Sequence, residues 1–232
     1  MENNQVGARA VRIEGALSST RAAFIARTYS HLFGAIVAFT LLEIVFFKTG
    51  IAEVVAQTLL SVNWLFVLGG FVIVSWFASR AAHVAKSASV QYAALGGFVL
   101  AEAIIFVPLL YVANYYAPGV ISSAATVTLL GFSGLTFIVF RTRKNFSFLG
   151  GLIRWGLGLA LVAIVAGVLF GFQLGTWFSV AMVGLAGGAI LYDTSKIIHE
   201  YPEDRHVGAA LELFASVALM FWYVLRLFLA RR

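Results

Sequence analysis

Seven long apolar stretches separated by short polar connections organise the chain, over residues 28–47, 62–79, 89–113, 120–140, 148–172, 175–197 and 208–229. Each is near the ~20 residues that carry a helix across a ~30 Å hydrocarbon layer at ~1.5 Å per residue. Connections this short force neighbouring helices to run antiparallel, and no long polar stretch marks a second domain. The pattern therefore predicts an all-α protein: a polar N-terminal tail over residues 1–27, then a single seven-helix transmembrane bundle over residues 28–232. No internal repeat is evident. Glycines such as Gly156, Gly158, Gly167, Gly184, Gly187 and Gly188 lie inside the stretches, where small residues let helix backbones approach closely.

Composition agrees with the pattern. Of 232 residues, 61% are hydrophobic and 11% charged, with a mean hydropathy of +0.95, against about 25% charged residues in an average soluble domain. The polar, arginine-bearing start leads into an apolar segment longer than the roughly 7–15 residues of a signal-peptide core, so the tail is expected to stay on the protein. The absence of cysteine excludes disulfides, thiolate metal sites and cysteine nucleophiles. The net charge of +6 lies in short loops rather than on one face, which predicts orientation in a lipid bilayer and no nucleic-acid partner. With the N-terminus inside, eleven basic residues fall on that side and four on the other, Arg154 being left within the fifth stretch. That bias predicts a cytoplasmic N-terminus in a multi-pass inner (plasma) membrane protein. Arg226, Arg231 and Arg232 dissent, but the last stretch is long enough for a full crossing.

Four of the ten acids fall within spans, where a carboxylate is costly and rarely idle. Glu43 lies about a turn from the end of the first span near Lys48, within snorkelling reach of the interface. Glu102 is near the middle of the third span, where snorkelling is hard. Asp193 is about four residues from the inner end of the sixth span and Glu212 about four residues into the seventh, which places them at matching depths. An Asp193–Glu212 contact would share a proton; the alternative is separate pairing at the interface, with Lys196 taking Asp193. Ser216, one turn beyond Glu212 on the same face, is a neutral donor candidate for Asp193. Arg80 and Arg154 are candidate cationic partners.

Two runs, RTRKNFSFLGG (Arg141 to Gly151) and GAILYDTSKIIHEY (Gly188 to Tyr201), resemble the Bax inhibitor-1 (transmembrane Bax inhibitor motif) family, most closely its bacterial inner-membrane branch. The resemblance implies a seven-helix fold with the last helix central. It also implies, for its best-understood members, a pH-sensitive calcium leak governed by aspartates on the sixth and seventh helices linked to an arginine on the second. Asp193 matches the sixth-helix aspartate, and Arg80 lies at or beside the arginine. Ser216 stands where the second aspartate would be, with Glu212, a turn nearer the cytoplasm, as the candidate replacement. A serine there is similar to members that bind and restrain a membrane-anchored ATP-dependent (AAA) protease.

Enzymatic readings find little support. GFSG (Gly131 to Gly134) matches the rhomboid-protease serine motif, but none of His31, His83, His199 and His206 lies within the sixth span, where the base would be needed. The GxGD run of presenilin-type aspartyl proteases is missing. His199 and His206, with Glu200 and Asp204, have poor helical spacing for a metal. The expectation is a non-enzymatic protein without cofactor. Its first reading is a proton-gated calcium or cation leak with Asp193, Glu212, Ser216 and Arg80 as sensing and gating groups and Glu102 and Glu43 as pathway acids. The second is a protein-binding modulator of a membrane protease.

Overall fold

The computed structural model describes residues 2–85 and 87–231, with side chains from Ser19 onward. Lys86 and Arg232, and the side chains of Arg9 and Arg12, all of which enter the charge bias, lie outside the described residues. The described residues form eight helices: α1 (Glu2–Thr49), α2 (Ile51–Ser61), α3 (Trp64–Val84), α4 (Ala88–Tyr116), α5 (Val120–Thr142), α6 (Leu149–Phe170), α7 (Thr176–His199) and α8 (His206–Leu229). Seven are long and apolar enough to cross a membrane, α1 through its Ser19–Thr49 part. The eighth, α2, has eleven residues and fills what the hydrophobic pattern reads as a loop. Gly50, in the left-handed region at φ 80°, breaks the chain between α1 and α2, a conformation that favours glycine. Ala52 and Ala56 then pack α2 onto Val107 of α4.

No structural break separates a tail from the first span, because α1 runs continuously from Glu2, and Phe24 and Thr28 are already buried in the bundle. The last segment is one uninterrupted helix of 24 residues, long enough for a full crossing. It is also the centre of the bundle, packing against α1, α3, α4, α5 and α7 and carrying the largest buried share of any span. By contrast, α3 and α6 are peripheral. Their large exposed residues, including Phe66, Trp76, Phe77, Leu152 and Trp155, form the kind of apolar outer surface that faces lipid.

Close approach of α3 to α8 depends on Gly208, where an added Cβ would lie 3.1 Å from the Ala82 carbonyl oxygen and 3.4 Å from the His83 ring. The obstacle is backbone, which cannot rotate away. Gly208 and Glu212 are four residues apart and share a helix face, so the spacing that Gly208 permits also sets the reach from α3 to Glu212. Gly208→Val is expected to lower the melting temperature of the purified protein by several degrees, on the order of the 1–3 kcal/mol that overpacking costs. Gly158→Ala, with open space around its Cβ, should leave melting unchanged or slightly raised. Equal melting of both variants and the parent would rule out a close α3–α8 contact.

Candidate functional site

Between α3, α4, α6, α7 and α8 lies a cavity of about 810 Å³. It reaches from Trp64 and Arg226, at one end of α3 and α8, to Ser79 and Glu212 near the other. Fifteen residues separate the ends on α3 and fourteen on α8, or about 21–22 Å of helix axis, which is most of the ~30 Å hydrocarbon thickness. Helical periodicity explains how α3 lines it. Phe71, Ser75 and Ser79 recur every four residues on one face, and His83 continues that face one turn further.

At the inner end, on the side of the α7–α8 connection, the cavity meets a group of polar side chains. Ser216 Oγ donates to Asp193 Oδ2 at 2.6 Å, and both residues are buried. A turn away, Glu212 is held from two helices: Lys196 Nζ donates to its Oε2 at 3.0 Å, and His83 Nε2 lies 3.1 Å from its Oε1. Tyr201, from the α7–α8 connection, places its hydroxyl on His83 Nε2. Burial pushes the Tyr201 phenol well above its usual range, so it stays protonated: its O–H donates to the Glu212 carboxylate, and its oxygen is free to accept from His83 Nε2. The Lys196 ammonium sits 5.2 Å and 5.0 Å from the Tyr192 and Tyr201 ring centres, in cation–π geometry.

The surrounding connections lock this end. Arg21 Nη1 donates to the Tyr201 carbonyl at 2.6 Å, and Phe24 stacks on the Tyr201 ring. Arg205 and Gln91 both donate to the Ala85 carbonyl, at 2.7 and 2.9 Å, which joins the α3–α4 and α7–α8 connections. The Phe146 amide donates to Ser195 Oγ at 2.9 Å, so the two motifs around Arg141–Gly151 and Gly188–Tyr201 touch each other directly.

Several expectations change in detail. Asp193 bonds the neutral Ser216, not Glu212, and the two carboxylates do not share a hydrogen bond. Lys196 pairs with Glu212 instead of Asp193. Arg80 makes no ion pair with Asp193: its guanidinium lies over the Trp76 ring, 5.5 Å from the centre. Arg154 bonds the Gly150 carbonyl of its own helix. Glu43 does not snorkel; it is buried, and neither carboxyl oxygen finds a hydrogen-bond partner. Glu102 lies on the cavity wall at mid-depth. His199 bonds the Ser195 carbonyl and His206 lies beside His31, and no cluster of three or more His, Cys, Asp or Glu side chains among the described residues could hold a metal. His83 and Tyr201 are the members that sequence reading missed. The available signal was the i, i+4, i+8 polar stripe Ser75–Ser79–His83, which places His83, rather than Arg80, on the inward face.

The contacts of His83 constrain its protonation. Nδ1 lies 2.6 Å from the Ser79 carbonyl oxygen, which can only accept, so Nδ1 carries a proton. Nε2 then attracts the Glu212 carboxylate only if it too is protonated, whereas a neutral ring would turn a lone pair toward it. The charged groups facing this ring are Glu212 and Lys196, with the neutral Tyr201 hydroxyl beside them. The tie is thus present in acid and lost as the imidazole deprotonates. His83→Gln should lower melting by about 3 °C near pH 6, from loss of about 1 kcal/mol, with the difference shrinking toward about pH 8. A gap that widens with rising pH would contradict the imidazolium assignment.

Similarity to known proteins extends over most of the chain. The family model for inhibitors of apoptosis-promoting Bax1 matches residues 21–232. An uncharacterized protein of Pseudomonas aeruginosa is 38% identical over 112 residues, covering 47% of this chain and 49% of the relative. The modulator of FtsH protease YccA of Escherichia coli is 34% identical over 103 residues, covering 44% and 47%. A Golgi anti-apoptotic protein of vaccinia virus is 28% identical over 138 residues, covering 57% and 55%. The alignments span about half the length of these relatives. The match of the family model over nearly the whole chain, on a seven-span helical bundle, makes this a multi-pass membrane protein that belongs to the Bax inhibitor-1 family.

Proposed function

We propose that the protein is a gated cation passage, with calcium as the candidate permeant ion, in a bacterial inner membrane with the N-terminus cytoplasmic. The observation that carries this reading is the cavity itself: it runs through most of the bundle, holds acids at mid-depth and at its inner end, and stops at a cluster of polar ties. Carboxylates inside a membrane mark ion pathways more often than they serve packing. In this reading Glu102 attracts cations into the bundle. The Asp193–Ser216 bond and the hold of Lys196, His83 and Tyr201 on Glu212 form the closure. Because that closure contains a carboxylate–imidazole contact, it responds to protons. Opening requires α7 and α8 to separate from α3 at this end, which the ties oppose.

A second reading is restraint of a membrane-anchored ATP-dependent protease, supported by the similarity to the Escherichia coli FtsH modulator. This reading needs an exposed surface rather than a cavity, and the two differ in their tests.

In proteoliposomes, Glu212→Gln, which surrenders the charge that Lys196 and His83 hold, should raise calcium flux several-fold, and Asp193→Asn should also alter it. Flux that is absent from the parent, or unchanged in both variants, rules out the passage. For the second reading, mild solubilisation of native membranes should co-purify an ATP-dependent protease with the chain, undiminished by Glu212→Gln; recovery of the chain without one counts against it.

A further inference from the structure

The cavity that ends at Asp193 is apolar along most of its wall, with Leu68, Phe71, Phe98, Ile105 and Leu157 among its lining residues. One acid interrupts that wall at mid-depth. Glu102 is 6% exposed, lines the cavity, and makes no hydrogen bond or ion pair with any described residue. It differs in this from Asp193, which has Ser216, and from Glu212, which has Lys196 and His83. The arginine that also lines the cavity, Arg226, is near its far end against the Tyr223 ring.

A buried carboxyl with no partner is satisfied either by keeping its proton or by a cation arriving from outside that displaces it, and the surroundings select which kind of cation. A dehydrated calcium ion needs about 6–8 oxygen ligands, whereas Glu102 supplies two among hydrocarbon and aromatic side chains. A weakly hydrated organic cation has the opposite needs. Its charge requires one counter-ion, its body gains from leaving water, and aromatic faces such as those of Phe71, Phe98 and Phe106 favour positive charge. The volume of about 810 Å³ falls within the roughly 300–1,000 Å³ of pockets that take small organic ligands, which are mostly apolar with a few placed polar groups.

We propose that this cavity is a binding site for lipophilic organic cations, with the positive charge held at Glu102 and the apolar body packed on the walls between α3, α4 and α6. Such a ligand would occupy the same space as the cation passage and would block it. The inference deepens that reading because it uses the same cavity, but it is tested by binding rather than by flux.

The probe is tritiated tetraphenylphosphonium, measured by equilibrium binding to the full chain in lipid nanodiscs, with empty nanodiscs giving the membrane-partition background. Saturable binding near one probe per chain is expected, weakened at least tenfold in Glu102→Gln. Leu157→Trp, which keeps the acid and reduces the space, should also weaken binding and provides the test if Glu102→Gln fails to fold. Binding no greater than that of empty nanodiscs overturns the proposal, as does an affinity unchanged by either folded variant. Saturable binding that survives Glu102→Gln but is lost in Leu157→Trp would mean an apolar slot for lipid chains, which also overturns it. Loss of flux activity with binding intact would remove the passage reading and leave the cation site standing.

Discussion

Within a hydrocarbon layer, a charged or polar side chain must find its partner inside the protein, and this requirement shapes the inner half of the bundle. Asp193 cannot turn to water, so Ser216 is brought against it from the neighbouring helix. Glu212 has a lysine on one oxygen and a histidine on the other. Those two cations come from α7 and α3, so satisfying one carboxylate joins three helices. Tyr201 then ties the α7–α8 connection to the same point, and Arg21 ties α1 to Tyr201. The inner end is held by a chain of polar contacts, each finding in the next a substitute for water.

The outer half is built differently. There α3 meets α8 through stacked Trp64 and Trp222, while at the inner end it meets α8 where Gly208 leaves room for the Ala82 carbonyl. Between these two fixed ends, Phe71, Ser75 and Ser79 border the cavity instead of packing on α8. The central helix is therefore surrounded unevenly. It is packed closely by α1, α4, α5 and α7, but α6, like α3, turns most of its surface outward.

Ser216 sits at the position where resemblance to the family places a second aspartate, and the geometry shows how the bundle accommodates the change. A hydroxyl donates to Asp193, so this bond needs no shared proton. The ionic contacts lie a turn away, where the Glu212 carboxylate faces an imidazole and an ammonium. That is a different electrostatic arrangement from a pair of acids: two acids repel unless they share a proton, whereas Glu212 and His83 attract when both are ionised. The polar closure and the apolar cavity with its unpartnered Glu102 are thus separate features of one space, one formed by complementary groups and the other left with an acid to satisfy.

The sequence by itself determined the number of long apolar spans, their approximate ends and the place of Glu43, Glu102, Asp193 and Glu212 along their helices. These follow from local quantities: the apolar length needed to cross a bilayer, and position counted along a helix of known rise. It also placed Ser216 and Glu212 one turn apart on one face, because periodicity is a property of the chain alone. What it could not decide was azimuth, the direction each helix turns toward its neighbours. Arg80 and His83 lie less than a turn apart on α3, and only the packing of that helix decided that His83 faces Glu212 while Arg80 lies over Trp76. The same holds for Lys196, three residues from Asp193 yet bonded to Glu212, and for Glu43, close to the membrane surface by count yet turned inward. Only the tertiary structure, by fixing those rotations, turned a set of acids at known depths into a closure at one end and an unpaired carboxyl in the middle.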